Sequence, residues 1–361
     1  MKILKVKLKQ HTPLVHFQHD QYGATLRASE VKPLLDKFII KRLTDGGNND
    51  LLDRWKKGDT NALNYKLKIQ ASEVDKLRVK IPERMKNGKF EAQFPLLLAN
   101  MDGKDTRDEL MNFSCYKEIT MIFISSDETL LNLINVYLDT FLTFTNFGNR
   151  KSKGFGSFYR KEKSQKDFEK KLSSLYTCVY YKKFPSFNIV NFDSVRQTFN
   201  TLDTEYKKIK SGMNRYESKL HAYGHKHGIE WEKLAIKNKL DGHSIPDNVY
   251  YLRAILGTTN SVSLTNINKV ISIKSELDGR GEEVVQRFRS PITFKFFDKT
   301  VYALSEEGVE DIVGKRFTFT IKDKQTNMER GHFDLRVPKV NFDDFFDFAF
   351  SSLGWSRKNF D

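Results

Sequence analysis

Cysteine is almost absent from this sequence: the two residues of this type, Cys115 and Cys178, each lie in an apolar stretch. Two cysteines cannot form a disulfide framework or a zinc ribbon, so the sequence predicts a protein of the reducing cytoplasm. Long apolar runs are absent as well, since none approaches the roughly 20 residues that a membrane-spanning helix requires. The first ten residues alternate lysine with Leu4, Val6 and Leu8, which predicts a β-strand and not a signal peptide.

Positive charge, by contrast, is abundant. The 361 residues include 61 lysines and arginines against 46 aspartates and glutamates, which gives a formal net charge of +15 and a pI of about 9.4. Such a balance predicts affinity for a polyanion. Nucleic acid is the favoured partner, although a membrane surface or an acidic protein would also attract this charge. The length of the chain indicates two domains.

The first part of the chain alternates strands with amphipathic helices. After the opening strand, apolar residues at helical spacing predict a helix that begins near Ser29, which is the expected N-cap. A second helix is predicted over residues 127–144. Strands are predicted at Tyr65–Gln70, Leu77–Ile81, Glu118–Ile124 and in GFGSFYRKE. The order strand, helix, strands, helix, strand is that of a ferredoxin-like domain.

A related pattern begins again near Gln165, where a charged segment of low hydrophobicity predicts a linker. It contains a strand at LSSLYTCVYY, a long charged helix from about Asp193 to His221, smaller helices, four strands and a helix at FDDFFDFAFSSL. We therefore predict an α+β fold with two ferredoxin-like domains in tandem, over residues 1–164 and 165–361. Helical insertions enlarge the second domain.

The most informative segment is NFGNRKSKGFGSF, which lies between the second helix and a strand. Its glycines can adopt positive φ and let the backbone approach a ligand, and its cations can contact phosphate. These residues are Gly148, Gly154, Gly156, Arg150, Lys151 and Lys153. No Lys-Ser/Thr pair completes a P-loop, and GFG opens a strand where a dinucleotide fingerprint opens a helix. The segment predicts phosphate contacts without NTPase or dehydrogenase chemistry; a glycine-rich turn with solvated charges is the alternative.

A helix followed by G-x-x-x-x-x-G-F-G-S resembles the glycine-rich loop of the RAMP proteins of CRISPR systems. Many of those proteins carry the loop near the C-terminus. Here it precedes the midpoint of the chain, and a second α+β region follows it. That placement is similar to the one in the first RAMP subunit of the type III-B (Cmr) effector complex.

Shorter segments of the first half are also similar to that family. Residues 12–14 match its Thr-Pro-Leu at the end of the first strand, and Leu26 and Arg27 match its Leu-Arg segment before the first helix. Val31 and Lys32 stand where Ile and Arg are usual. The departures are Glu30 in place of Ser, Pro33 in place of Gly and Asp36 in place of a basic residue. These departures bear on how well the start of the helix can accept an anion.

In the second half, YYLRAILG and RFRSPITFKFF resemble the paired Arg-x-x-x-Gly and Arg-x-Ser-Pro segments of such proteins. The residues concerned are Arg253, Gly257, Arg287, Arg289, Ser290 and Pro291. The matched pieces therefore lie in both halves of the chain.

The resemblance implies a non-catalytic RNA-binding subunit in antiviral defence. It would bind near the 3′ end of the guide RNA–target region and cap a backbone of repeated RAMP subunits, with guide RNA, target RNA and those subunits as partners. No cofactor, metal or catalytic residue is implied. The predicted RNA-binding residues are Arg27, Lys32, Gly148, Arg150, Lys151, Lys153, Gly154, Phe155, Gly156, Arg287 and Arg289. Phe155 and Phe158 could stack on bases, although a core role is favoured for Phe158.

The histidines of the sequence suggest alternatives to a non-catalytic, metal-free protein. His11, His16 and His19 lie near the end of the first strand, where some RAMP endoribonucleases keep a general acid/base, so a metal-independent endoribonuclease that processes guide RNA is the alternative function. A single-strand RNA-binding module outside CRISPR systems is a third hypothesis. His221 and His225 have the spacing of a helical metal pair but lack the Glu of HExxH, and a solvated helix end is favoured there.

Overall fold

The structure is a computed structural model, and it describes residues 1–15, 25–58, 60–71, 77–78, 83–86, 89–92, 112–113, 115–116, 118–213, 216–264, 268–285 and 287–360. They form two compact units. The first unit comprises Met1–Leu202, Thr293–Leu304 and Ser356–Asp361, and the second comprises Asp203–Ile292 and Ser305–Trp355. No helix within the described ranges is both long enough and apolar enough to cross a membrane.

The helices are α1 (Ala28–Asp45), α2 (Asn49–Trp55), α3 (Glu128–Phe144), α4 (Gln165–Ser173), α5 (Phe192–Lys210), α6 (Lys219–Lys226), α7 (Glu232–Leu240) and α8 (Phe342–Ser351). The strands are β1 (Lys2–Gln10), β2 (Lys66–Ala71), β3 (Leu77–Arg78), β4 (Glu83–Lys86), β5 (Lys89–Ala92), β6 (Asn112–Phe113), β7 (Ile119–Ser125), β8 (Phe158–Arg160), β9 (Cys178–Lys183), β10 (Glu230–Trp231), β11 (Val249–Tyr250), β12 (Ser261–Leu264), β13 (Lys269–Ser275), β14 (Ile292–Phe297), β15 (Thr300–Ser305), β16 (Arg316–Asp323), β17 (Glu329–Arg336) and β18 (Ser356–Asn359). The predicted α+β class is confirmed.

The first sheet has the strand order β2-β7-β1-β8, and its paired strands are antiparallel. The alternation predicted for the opening strand is confirmed, because Val6 and Leu8 are buried while the lysines between them are exposed. In the register, Val6 lies opposite Met121 and Leu8 opposite Ile119. These side chains join the residues of α1 and α3 in one apolar core.

The start of α1 differs from the prediction. Arg27, not Ser29, is the N-cap, and its carbonyl accepts the N–H groups of Glu30 (3.1 Å) and Val31 (3.0 Å). Pro33 therefore falls in the second turn of the helix instead of the first. The prediction rested on the short polar side chain of Ser29, two residues later, whereas only backbone groups form the hydrogen bonds at this helix end.

The predicted linker near Gln165 is the helix α4. Ser164 and Asp167 form a capping box at its N-terminus, in which the Asp167 carboxylate accepts the Ser164 N–H at 2.9 Å. Phe168 and Leu172, one helical turn apart, are fully buried in the first unit. Two apolar residues among many charges are enough to fix an amphipathic helix. The domain boundary at residues 164 and 165 stays a prediction.

A second four-stranded sheet has the order β14-β15-β9-β18. Its elements follow the chain as β9, α5, β14, β15, α8 and β18. Both sheets thus share one succession, strand, helix, two strands, helix, strand, and in both the first strand lies between the third and the fourth. The long helix predicted to about His221 ends at Lys210, because Gly212 adopts φ +75° and a Cβ there would lie 2.6 Å from the Tyr216 carbonyl oxygen.

The second unit contains a further antiparallel sheet in the order β12-β13-β16-β17. Ile271 pairs with Ile321 and Ile273 with Phe319, and all four side chains are buried. The predicted terminal helix is confirmed as α8. Its N-cap is Asn341, whose side-chain oxygen accepts two backbone N–H groups.

Candidate nucleic-acid interface

The glycine-rich loop connects α3 to β8. A single 3-10 turn over Lys151–Lys153 forms its tip, and Arg150 enters that turn in the left-handed region, at φ +55°. Gly148, Gly154 and Gly156 all have positive φ, as the sequence predicted.

Steric contacts with the protein itself explain these glycines. A Cβ on Gly156 would lie 1.9 Å from the carbonyl oxygen of Phe147, and one on Gly154 would lie 2.7 Å from the ring of Phe296. Both glycines are buried. The close approach that these two glycines allow is to the protein's own chain; their approach to a ligand stays a prediction.

The Thr-Pro-Leu segment lies directly against this loop. The hydroxyl of Thr12 donates to the Gly154 carbonyl at 2.7 Å and accepts the Ser157 N–H at 2.8 Å. The Gly156 N–H donates to the Pro13 carbonyl at 2.9 Å. Two segments that the sequence matched separately to one family thus form a single hydrogen-bonded structure.

A fully buried lysine, Lys295, fixes the base of the loop. Its ammonium donates to the carbonyl of Thr145 (2.7 Å), to Oδ1 of Asn146 (3.2 Å) and to the carbonyl of Phe158 (3.3 Å). The Asn146 amide in turn donates to the Lys151 carbonyl at 2.8 Å. Burial lowers the pKa of Lys295 well below its usual value. Sequence reasoning missed this residue, although one lysine inside the apolar run ITFKFF was a usable signal.

The two aromatic residues considered for base stacking, Phe155 and Phe158, are both buried. Phe155 is 2% exposed and its ring stacks on Phe199, with 3.8 Å between centroids. Phe158 is fully buried, as favoured from the sequence. Both side chains belong to the core, which removes base stacking from the predicted role of Phe155.

The cations of the loop have a different environment. Arg150, Lys151 and Lys153 are all half-buried, in contrast to the buried glycines that follow them. Within the described ranges the Lys151 ammonium forms no ion pair. The loop therefore combines an internally packed backbone with three cationic side chains within four residues, each of them half-buried.

The two predicted residues of α1 differ from each other. Lys32 forms an ion pair with the buried Asp36 at 2.5 Å, donates to the Leu63 carbonyl at 2.9 Å and lies 4.0 Å from the ring centroid of Tyr65. Its ammonium thus has a structural role inside the first unit. Arg27 is half-exposed at the N-cap.

Glu30, a departure from the family pattern, also affects this region. Its carboxylate accepts the Gly148 N–H at 2.7 Å and so occupies a backbone donor that could otherwise face an anion. The start of α1 is therefore tied to the glycine-rich loop by an acidic side chain, which argues against phosphate binding at the helix end itself.

In the second unit, the structure brings the two distal matched segments together. Thr258 and Phe288 exchange two hydrogen bonds, of 3.0 and 2.9 Å. Gly257 has φ +101°, and a Cβ there would lie 3.1 Å from the backbone nitrogen of Ser290. Both predicted cations of this segment, Arg287 and Arg289, are exposed.

Buried charges support this turn from within the second unit. Lys210 donates to the carbonyls of Leu256 and Gly257, each at 2.9 Å, and burial lowers its pKa to about 8. Arg253 pairs with the fully buried Glu232, so its guanidinium is part of the core structure. The glycine turn here and the loop at Lys295 are thus built alike, each with a lysine, half-buried Lys210 or fully buried Lys295, that donates to backbone carbonyls.

A further basic surface escaped the sequence analysis. The register places Lys5 of β1 and Lys68 of β2 on either side of Ile122 on one face of the first sheet, and all three neighbouring lysines Lys7, Lys9 and Lys66 are exposed as well. Lys7 pairs with Glu118 and Lys9 with Asp298. The alternation that predicted the strand was itself the signal, because it places Lys5, Lys7 and Lys9 on one face of β1.

His11 is buried in the first unit. It is 3% exposed, its ring lies 4.6 Å from that of Phe297, and its Nδ1 lies 2.9 Å from the backbone nitrogen of Asp298, which donates to it. Burial lowers the pKa of His11 and favours the neutral ring. His16 and His19 lie outside the described residues.

Two family models and one solved structure that are similar to this chain all carry the name Cmr1. Residues 1–213 match the family model described as Cmr1 N-terminal domain, and residues 215–360 match the one described as Cmr1 C-terminal domain. The crystal structure of Cmr1 from Pyrococcus furiosus in its apo form aligns with 99% of this chain and 98% of its own, at 10% sequence identity and a TM-score of 0.42. No curated protein matches the chain.

Proposed function

The chain belongs to the Cmr1 family, and on this premise we propose that it is an RNA-binding, non-catalytic subunit of a type III-B CRISPR effector complex in antiviral defence. It binds near the 3′ end of the guide RNA–target region and contacts other RAMP subunits of the complex. The observation that carries the RNA-binding part is the glycine-rich loop with its three half-buried cations, Arg150, Lys151 and Lys153.

The construction of the loop suits a phosphate contact. Its backbone is held by Thr12, Asn146 and the buried Lys295, so the cations project from a fixed support. A fixed support lowers the entropy that must be lost on binding. Contacts to phosphate carry no sequence information, which fits a subunit whose specificity comes from base pairing between guide and target.

Further cations extend the proposed surface. In the first unit these are Arg27 and the exposed lysines of the sheet face, Lys5 and Lys68; in the second unit they are Arg287 and Arg289. Lys32 is left out because its ammonium already contacts Asp36, a carbonyl and an aromatic ring.

The proposal also includes two ferredoxin-like domains. We assign β1, α1, β2, β7, α3 and β8 to one ferredoxin-like domain of the RAMP type, and β9, α5, β14, β15, α8 and β18 to a second. The support is the shared succession of elements together with the shared strand order. The helices and the sheet between α5 and β14 form the insertion.

One of the three histidines behind the nuclease alternative, His11, is poorly placed for catalysis. A general acid or base must come within hydrogen-bond reach of the scissile group, and His11 is buried against Asp298 and Phe297. Incubation of the purified protein with CRISPR repeat RNA in EDTA tests this directly. A discrete cleavage product would overturn the non-catalytic assignment.

The RNA-binding proposal is tested by titrating single-stranded RNA at several salt concentrations and following fluorescence anisotropy. Each phosphate contact contributes roughly 0.7 to the salt slope for a single strand, so the triple variant Arg150→Ala, Lys151→Ala, Lys153→Ala should lose about 2 units of slope. At about 0.15 M salt this corresponds to an affinity roughly fiftyfold weaker.

A matched control removes the same charge elsewhere. Lys57, Lys166 and Lys170 are exposed lysines of the first unit outside the loop. Their triple alanine variant should keep the wild-type slope. Equal losses in both variants would mean that net charge and not the loop binds RNA, and an unchanged loop variant would place the RNA site elsewhere.

A further inference from the structure

Three potential metal ligands converge in the second unit. His221 and His225 lie one turn apart on α6, and Glu230 lies on β10. Nε2 of His225 is 2.8 Å from Oε1 of Glu230, and Nε2 of His221 is 3.7 Å from Oε2 of the same carboxylate. One ligand atom from each residue lies within 4.8 Å of the other two.

The turn after α6 brings the carboxylate to the histidines. The carbonyl of Gly224 accepts the N–H groups of His227 and Ile229, each at 2.9 Å, and Gly228 adopts φ +70°. A Cβ on Gly224 would lie 2.8 Å from the Ile229 carbonyl oxygen, so only glycine allows the chain to return this closely. The sequence favoured a solvated helix end here. Instead Gly224 and Gly228 fold the chain back, and Glu230 then pairs with Val249 in a short parallel sheet.

The contacts of His221 leave the lone pair of its Nε2 available to a metal ion. Its Nδ1 lies 2.6 Å from the carboxylate of Glu217, which accepts the Nδ1 proton and leaves the lone pair on Nε2. That Nε2 is buried and has no hydrogen-bond partner among the residues that the structure describes. The ring also stacks on Trp231, with 4.2 Å between centroids, so its orientation is fixed. A buried polar nitrogen without a partner is costly unless something binds it.

We propose that His221, His225 and Glu230 bind a divalent transition-metal ion of the zinc class. Two imidazole nitrogens and one carboxylate are a ligand set that zinc takes, with a water molecule at the fourth position of a tetrahedron. Ligand atoms at roughly 2.0–2.2 Å from such an ion lie about 3.3 Å apart, and the two measured separations of 2.8 and 3.7 Å bracket that value. Glu217 is a positioning residue, because it orients His221 and does not reach the ion.

The bound ion would join the end of α6 to β10 and so hold the turn between them closed. This site shares no residue with the proposed RNA surface. Metal binding and RNA binding therefore succeed or fail separately. In the absence of metal, these side chains would only contact one another, through the 2.8 Å separation between His225 Nε2 and Glu230 Oε1, and the experiment distinguishes the two interpretations.

The test uses the full chain without a polyhistidine tag, freed of metal by dialysis against EDTA. Titration with CoCl2, followed by visible absorption, and with ZnCl2, followed by calorimetry, should each give one saturable site per chain. His225→Ala and Glu230→Gln remove a ligand, and each should weaken the affinity by about a hundredfold or more. Glu217→Gln changes only the orienting group and should weaken it by roughly 10- to 100-fold.

His332→Gln is the matched control, because His332 pairs with Glu329 at 3.0 Å on the surface without a third ligand nearby in the described residues. It should bind metal as the wild type does. Trp231 gives an independent readout, since Co²⁺ bound beside the stacked His221 should quench indole fluorescence, and Trp231→Phe should abolish that component. Glu230→Gln preserves the shape of the side chain, and circular dichroism checks that each variant is folded.

No saturable site in the wild type, or an affinity that the ligand variants retain, would overturn the proposal. Loss of the site in His332→Gln alone would do the same, because it would place the metal on the other histidine. Binding that requires His225 and Glu230 but not Glu217 would keep the site and remove only the positioning role.

Discussion

Gly156 offers the sharpest test of how the glycine-rich loop is built. Its φ is +66°, and a Cβ would lie 1.9 Å from the Phe147 carbonyl oxygen. Gly156→Ala therefore combines an unfavourable backbone conformation with a contact that the structure can relieve only by moving two backbone segments apart. The Phe147 N–H to Gly156 carbonyl hydrogen bond, 3.0 Å long, would be disturbed by the same movement.

The expected loss of stability is the sum of these effects. A left-handed conformation costs a residue with a Cβ about 1–2 kcal/mol, and forcing extra volume into a packed site costs roughly 1–3 kcal/mol. The variant should therefore lose about 3 kcal/mol. For a unit of this size, about 2–4 °C of melting temperature corresponds to each kcal/mol, so the melting temperature should fall by roughly 6–12 °C.

Gly47→Ala is the control, because Gly47 has a similar φ of +70° but no described atom lies within 4 Å of its Cβ position. It should show only the backbone part of the loss. Thermal melts followed by circular dichroism, with RNA affinity measured well below the melting temperature, separate stability from binding. If Gly156→Ala melted as Gly47→Ala does but bound RNA more weakly, the glycine would contact the ligand and our account of the loop would be wrong.

Three further predictions concern residues to which the sequence assigned a binding or catalytic role and to which the structure gives internal contacts. Phe155→Ala should cost about 3–5 kcal/mol in urea unfolding while the folded protein binds RNA normally; weaker binding without a loss of stability would restore base stacking. Lys32→Met removes the partner of the buried Asp36 and should cost about 3 kcal/mol with RNA affinity unchanged, as measured by the same two assays. Because burial lowers the pKa of His11, the unfolded chain takes up a proton that the folded protein excludes as the pH falls below about 6.5. Thermal melts of the wild type should therefore show a loss of up to about 1.4 kcal/mol between roughly pH 7.5 and 5.5; His11→Gln should lack this part, and an equal pH dependence in both proteins would contradict the burial argument.

Patterns of short period allowed most of the elements to be predicted. The lysine alternation of β1 and the apolar spacing of α3 place those elements correctly, because periodicity reports directly on which side chains face a core. The α4 segment was misjudged as a linker because its two buried residues, Phe168 and Leu172, stand among charges. The positive φ of Gly156 was foreseen, but the atom that occupies the space of its missing Cβ, the Phe147 carbonyl oxygen, could not be.

Features that depend on distant residues could not be predicted. Lys295 donates to the carbonyl of Thr145, which is 150 residues away in the sequence. The sequence around Lys295 gives no sign that its ammonium contacts the glycine-rich loop. The sequence suggested that Phe155 is accessible because the ring on which it stacks, that of Phe199 in α5, is distant in the sequence. Likewise, the spacing of His221 and His225 was only weak evidence for a metal site. The turn at Gly228 brings Glu230 next to them, and this turn could not be predicted. Charge and spacing indicate which side chains could bind a ligand, whereas burial decides which of them are available.

The strand order β14-β15-β9-β18 has a consequence for synthesis on the ribosome. Both neighbours of β9 come from far along the chain; Arg357 of β18, for instance, is 179 residues beyond Cys178. At about 5–20 residues per second, β9 waits roughly 10 to 35 seconds for its last neighbour. During that interval its N–H and C=O groups form open edges, which are templates for pairing with other chains. Co-expression with a chaperone that shields nascent strands should therefore raise the yield of folded protein.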